Sequence, residues 1–500
     1  MMGMKEVVRL FSEKGILVDP DALDYISSKE NPLEFAKDLL TKLSDSSLVL
    51  TLEDIKSMEG GSKEEEEVTE VFNEIPVGTG EKAMAREYDA EVKIIKDVTG
   101  RVSCRGEVED FAKLFNSRYQ KIRNVFGSQR RGLRNPIPLK KLKDGKIKEA
   151  QVIGMVKDVR TTQKGYRIIE LEDEEDTITV LVPKDDPLLY QQSQEIVYDE
   201  VISLRITSGR NGLFIAQSIS YPDISITHKK NKAEIPVYVA FLSDTHIGSN
   251  KFMREEWNKM IRWLNGEIGN SRQRDVARKI KYIIMPGDIV DGVGVYPGQD
   301  KELDVTDVYK QYELLSKELD RIPDHITIIL QPGNHDAVRP AEPQPALEKE
   351  IQDIFSGKEY IFVGNPCYLS IHGVEILSYH GQSLLDFSTN IPNLRYNQPI
   401  EVMKIALKKR HLAPIYGGHT PIAPEHEDYM VIDRIPDIFV TGHVHVSAIG
   451  EYRGVTLINA SAWQAQTNYQ KMMNFVPDPA KLPVVDLRSG NATSMDFNVV

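Results

Sequence analysis

The spacing of apolar positions changes twice along this 500-residue chain, and each change marks a different kind of element. Over residues 1–57 apolar side chains recur at helical spacing: Val7, Leu10 and Phe11, then Leu33, Phe35, Ala36, Leu39, Leu40 and Leu43. Asp19-Pro20 and Asn31-Pro32 read as helix starts, a capping side chain followed by proline. Such a small helical module would dock a partner or pack on its own chain. Residues 58–89 lose the pattern. Glu59-Gly60-Gly61-Ser62 and the run Glu64 to Glu67 make them an acidic flexible linker. Residues 90–144 form a helical and basic connecting segment. It holds a strand-like piece and one helix, with Phe111, Leu114, Phe115, Ile122 and Phe126 on its apolar face and Asn135-Pro136-Ile137-Pro138 closing it.

Over residues 145–225 the period shortens to that of strands. Ala150–Val156, Tyr166–Leu171 and Thr177–Val182 come first, then a short helix at Pro187–Gln192, then Glu200–Ile206 and Leu213–Ala216. Three strands, a helical interruption and two strands fit a barrel of the OB type. Such barrels often bind single strands on an open face. Tyr166 and Phe214 are a poor stacking set, which favours a structural or protein-contact role.

Residues 234–500 carry short, mostly unbroken apolar runs: Val237–Leu242, Tyr282–Met285, Ile326–Leu330, Val374–Leu377 and Ile438–Val440. These predict strands buried on both faces. A polar motif follows each: Asp244-Thr245-His246, Gly287-Asp288-Ile289-Val290-Asp291, Gly333-Asn334-His335-Asp336, His380-Gly381 and Gly442-His443-Val444-His445. Loops at the carboxyl ends of strands are where α/β folds build sites. Gly287, Gly333 and Gly442 allow tight turns and close backbone approach. Two divalent ions about 3.5–4 Å apart clamp a phosphate and activate water between them. Mixed imidazole and carboxylate donors suit transition metals, Mn2+ first, with Mg2+, Zn2+ or Fe as alternatives.

Composition narrows the setting. Two cysteines, Cys104 and Cys367, make no disulfide framework and no Cys-based zinc module. No apolar stretch reaches the length of a membrane span and the first residues lack a signal-peptide pattern, so a cytoplasmic protein is expected. The net charge of −13 argues against simple electrostatic capture of nucleic acid. It conceals a basic block from Lys113 to Lys148, with twelve basic residues against one acid, Asp144. That block suits a phosphate backbone, an acidic partner or a solvated linker alike. All eleven histidines lie between His228 and His445. His419, in Gly417-Gly418-His419-Thr420, is a candidate supporting or substrate-loop position.

The five motifs together resemble the calcineurin-like metallophosphoesterases. That resemblance implies an α/β/β/α sandwich, so the whole reads as a multi-domain α+β chain: helical module, OB-fold barrel, sandwich. It also implies roles. Asp244, His246 and His445 would hold one ion; Asn334, His380 and His443 would hold the other; Asp288 would bridge. His335 would protonate the leaving oxygen or stabilise charge, oriented by Asp336. A barrel directly before such a domain resembles the small subunits of replicative DNA polymerases. Leu407–Gly417, Thr420–Pro424, Pro436–Phe439 and Ala460–Gln464 look most like those of archaeal family D.

This family resemblance implies a 3′→5′ exonuclease acting on single-stranded or mismatched DNA ends. It implies a large polymerase subunit as partner, contact with the sliding clamp, and a nucleoid-associated setting. Two other readings stay open on the residues alone: a phosphatase or phosphodiesterase on proteins or small molecules, and a non-catalytic assembly subunit.

Overall fold

The computed structural model describes residues 83–128, 135–144, 146–209 and 212–499, together with scattered positions between 7 and 55. The acidic stretch 58–82 and the basic residues Arg130, Arg131 and Arg134 lie outside the described residues. The chain divides into two units, Met1–Val77 and Gly78–Val500, each taken by itself.

In the first unit, helices Pro20–Ser27 and Pro32–Lys42 begin at the two Pro positions. Val7, Phe11, Ala22, Ile26, Ala36, Leu39 and Ile55 share its core.

The second unit contains two six-stranded sheets and a closed five-stranded barrel. Across the first sheet the strands run Tyr360–Phe362, Thr327–Gln331, Ile280–Pro286, Tyr238–Phe241, Lys481–Asp486 and Ala492–Asp496. The first four are parallel neighbours, and the last two pair antiparallel. The second sheet runs Ser447–Tyr452, Val455–Ala460, Ile438–Thr441, Val374–Ser378, Cys367–Ile371 and Val92–Lys96. Val92–Lys96 therefore pairs with Cys367–Ile371 instead of lying in a connecting segment. A five-residue strand-like piece shows a strand but not its distant partner.

Alternation sorts the side chains into layers. Val239 and Phe241 join Ile284, Ile376 and Val440 in a core between the sheets. Ala240 and Leu242 face the other way, onto Trp257, Met260, Tyr312 and Leu315 of helices Arg254–Leu264 and Val308–Asp320. On the far side, Leu377, Phe439 and Leu457 pack on Phe387, Val402 and Met403 of helices Leu384–Asn390 and Pro399–Lys409. Helix, sheet, sheet and helix thus lie in layers.

The barrel strands are Glu149–Thr161, Arg167–Glu172, Thr177–Val182, Phe214–Ser220 and Val201–Ser208 in order around the closure, with helix Pro187–Gln194 before the last two in sequence. Inward Val152, Val156, Ile169, Leu171, Val180 and Leu204 fill it.

Candidate metal centre

The carboxyl ends of five strands, three from the first sheet and two from the second, converge on one place. Asp244 and His246 follow Tyr238–Phe241; Asp288 and Asp291 follow Ile280–Pro286; Asn334, His335 and Asp336 follow Thr327–Gln331. His380 follows Val374–Ser378, and His443 and His445 follow Ile438–Thr441. Asp244, His246, Asp288, His443 and His445 all adopt positive φ, between 45° and 64°. Each such backbone costs about 1–3 kcal/mol and persists only when its surroundings hold it. Gly287 is itself at φ 96°, whereas Gly333 and Gly442 are needed for closeness. A Cβ on Gly333 would fall 2.8 Å from His380 Cε1 and nearer still to the Asp288 carboxylate.

The side chains form overlapping groups: Asp244 with His246 and His445, then His246 with Asp288 and His335, then Asp288 with His380 and His443. His445 Nε2 lies 3.2 Å from Asp244 Oδ1 and 3.1 Å from His246 Nε2. Asp288 Oδ2 lies 3.2 Å from His380 Nε2 and 3.9 Å from His246 Nε2, so one oxygen faces both ends of the centre. Asn334 Oδ1 is 3.0 Å, and His443 Nδ1 3.2 Å, from His380 Nε2. Every residue expected to hold an ion is therefore in this cluster.

The donor set suits divalent cations. Asp244, Asp288 and Asp291 are buried, and among the described residues no Lys or Arg forms an ion pair with them. Uncompensated buried carboxylates are costly. His246 Nδ1 is 2.9 Å from the Asp291 carboxylate and His380 Nδ1 is 2.9 Å from the Pro286 carbonyl. With each Nδ1–H donating there, Nε2 is turned into the centre: that of His380 lies 3.2 Å from Asp288 Oδ2 and that of His246 3.1 Å from His445 Nε2. Burial would lower His380, but Asp288 raises it to about 10. Burial likewise opposes ionisation of Asp288, yet His380 and His335 hold it well below the usual carboxylate range. Burial and neighbouring His380 push His443 down to about 3. The Asp288 carboxylate thus draws positive charge to His380, while His443 is held neutral with a nitrogen available to a cation.

His335 differs from the expectation in its support. Its Nδ1–H donates to the Asp291 carbonyl at 2.8 Å, not to Asp336. The Asp336 carboxylate instead accepts from the backbone N–H groups of Gly333, Ile289 and Val290 and from Tyr312 Oη. It fastens two ligand-bearing loops together. Asp291, quoted in its motif without a role, orients both His246 and His335. Gln299 and Gln464 donate to its carboxylate at 3.1 and 3.0 Å. Glutamines carry no sequence signature for such work. His419 is exposed, belongs to no ligand group, and donates only its backbone N–H to Asp386.

The basic block is divided. Arg118 is fully buried and gives Nε–H to Asp428 and Nη1–H to the Asp199 and Pro414 carbonyls. Lys121 pairs with Glu427 and Lys143 with Asp176. These three cations are committed within the chain. Leu407–Gly417, singled out by the resemblance, is the seam to the barrel: Lys408 pairs with Glu195, buried Lys409 with Glu200, and the Tyr416 N–H donates to Asp199.

Residues 239–448 match the DNA polymerase alpha/epsilon B-subunit family. The DNA polymerase II small subunit of Archaeoglobus fulgidus is 46% identical over 395 residues, covering 79% of this chain and 78% of its own. That of Methanothermobacter thermautotrophicus is 37% identical over 489 residues, covering 97% and 98%. The chain belongs to the DNA polymerase II small subunit family. A solved archaeal phosphodiesterase aligns with 52% of this family member at 14% identity and a TM-score of 0.25, too slight a likeness to carry an argument. No helix among the described residues is long and apolar enough to cross a membrane.

Proposed function

We propose that this small subunit is a 3′→5′ exonuclease of a replicative DNA polymerase. It hydrolyses the terminal phosphodiester of single-stranded or mismatched DNA ends beside a large polymerase subunit. The observation that carries this reading is the completeness of the centre: three buried carboxylates without a Lys or Arg partner among the described residues, gathered with the imidazoles of His246, His335, His380, His443 and His445. A scaffold has no use for that arrangement and gains stability by losing it. Asp244, His246 and His445 would hold one cation and Asn334, His380 and His443 the other, and Asp288 would serve both. Two divalent ions, Mn2+ first, supply charge neutralisation at the phosphate and an activated water. His335 has its Nδ1 fixed by the Asp291 carbonyl and its Nε2 4.0 Å from Asp288 Oδ2. It delivers a proton from Nε2 to the departing oxygen. The barrel is of the OB type and serves as a structural or protein contact, the sandwich is calcineurin-like, and the sliding clamp is a further partner. The setting is cytoplasmic and nucleoid-associated.

The decisive assay is Mn2+-dependent degradation of single-stranded and mismatched DNA ends by the chain alone and with its large subunit. Asp288→Ala and His335→Ala should abolish it. No degradation by either preparation sinks the nuclease reading. A preference for a small phosphomonoester makes the protein a phosphatase.

A further inference from the structure

Two loops beside the centre expose apolar side chains that the core does not use. Val293, Tyr469, Met472, Met473 and Val476 are each at least half exposed. Tyr296 and Tyr469 lie with ring centroids 6.2 Å apart and planes 33° from parallel. Tyr296 in turn lies 6.2 Å from the His335 ring. Beside the other cation-binding group, Tyr396 lies 6.4 Å from the His443 ring and 5.9 Å from Phe475.

The arrangement is held in place. Glu302, nearly buried, accepts from Tyr296 Oη at 2.9 Å through one carboxylate oxygen and from the Asn468 N–H at 3.2 Å through the other. One carboxylate thus ties the Tyr296 loop to the short helix Asn468–Met472 that carries Tyr469. Gln470 on that helix contacts His445 Nδ1 at 3.1 Å. The rings are therefore registered to the ligand residues. Exposed apolar surface of this kind marks a binding site. Aromatic faces next to a phosphodiester-cleaving centre match the faces of unpaired bases, which a duplex keeps stacked within itself.

We infer that Tyr296 and Tyr469, with Tyr396 beside the second cation-binding group, form a stacking frame that selects unpaired bases at a strand end. The inference rests on the nuclease reading for its substrate. Its test uses the full chain, a short labelled thymidine strand, and the same strand with abasic terminal nucleotides. Metal-free binding is read by fluorescence anisotropy and cleavage is read with Mn2+. The wild-type chain should prefer the strand with bases by about 5- to 150-fold, the range stacking supplies per base. Tyr296→Ala and Tyr469→Ala should bring that ratio towards one, and Tyr469→Phe should retain it. A ratio unmoved by the alanine changes overturns the frame and leaves the loops as a surface for another protein. Wild-type chain that cleaves neither strand, alone or with its large subunit, overturns the nuclease reading alone, since the anisotropy ratio still decides whether the rings hold bases.

Discussion

The geometry around Gly333 shows how little room a single residue leaves here. Its missing side chain lets the Asp288 carboxylate and His380 lie against the backbone. Gly333→Ala must displace one of them, although its own φ is ordinary. Displacing such support costs about 10- to 100-fold in metal affinity. Isothermal titration with Mn2+ should record a loss in that range, and because the new Cβ also meets the Asp288 backbone N, the melting temperature of the metal-free chain should fall as well. Unchanged affinity would mean that Asp288 does not need its present position. The motif glycines were legible as a class, but the sequence does not show that Gly287 needs both its turn and its closeness while Gly333 needs closeness alone. The Asp336 expectation failed for a related reason. Adjacency to His335 in sequence suggested contact, but Asp336 is taken up by the backbone N–H groups of Gly333, Ile289 and Val290, while His335 turns to the Asp291 carbonyl.

Among elements, the five strands and their motifs could be read because buried strands followed by polar turns leave a strong local pattern. The barrel strands were readable for the same reason. Connections that depend on distant partners were not: Val92–Lys96 entering the second sheet, or Arg118 passing from a basic block into a buried cluster. The seam at residues 407–417 was visible only as a family likeness, and the structure supplies its physics. Lys409 gives protons to Glu200 at 2.6 Å and to the Glu195 carbonyl at 2.7 Å, wholly out of water. Lys409→Ala leaves Glu200 buried and unpaired, at about 3–5 kcal/mol. Lys409→Met with Glu200→Leu should recover most of that loss in urea denaturation. If the double change is as damaging as the single one, the pair is doing more than neutralising charge.

For the whole molecule, the buried Arg118–Asp428–His411 cluster sets how stability responds to acid. The His411 ring accepts the Ala413 N–H at Nδ1 and donates from Nε2 to Asp428, so it is neutral in the fold. Burial, then the Arg118 charge, lowers it from 6.5 to about 4. The unfolded chain binds this proton first, so the contribution is present above about pH 6.5 and lost as pH falls towards 4. The loss is about 3 kcal/mol. Asp428, which burial would raise but His411 and Arg118 hold well below its ordinary value, acts in the same direction. Urea midpoints measured between pH 7 and pH 4.5 should fall, and His411→Gln should flatten the decline; an equally steep decline in that variant would acquit His411. The centre has another consequence at this scale, one of timing. Its ligands begin at Asp244 and end at His445, on strands of two different sheets. A nascent chain therefore cannot assemble this group until residue 445 has been synthesised and both sheets have met, so no fragment released before that point holds the complete centre.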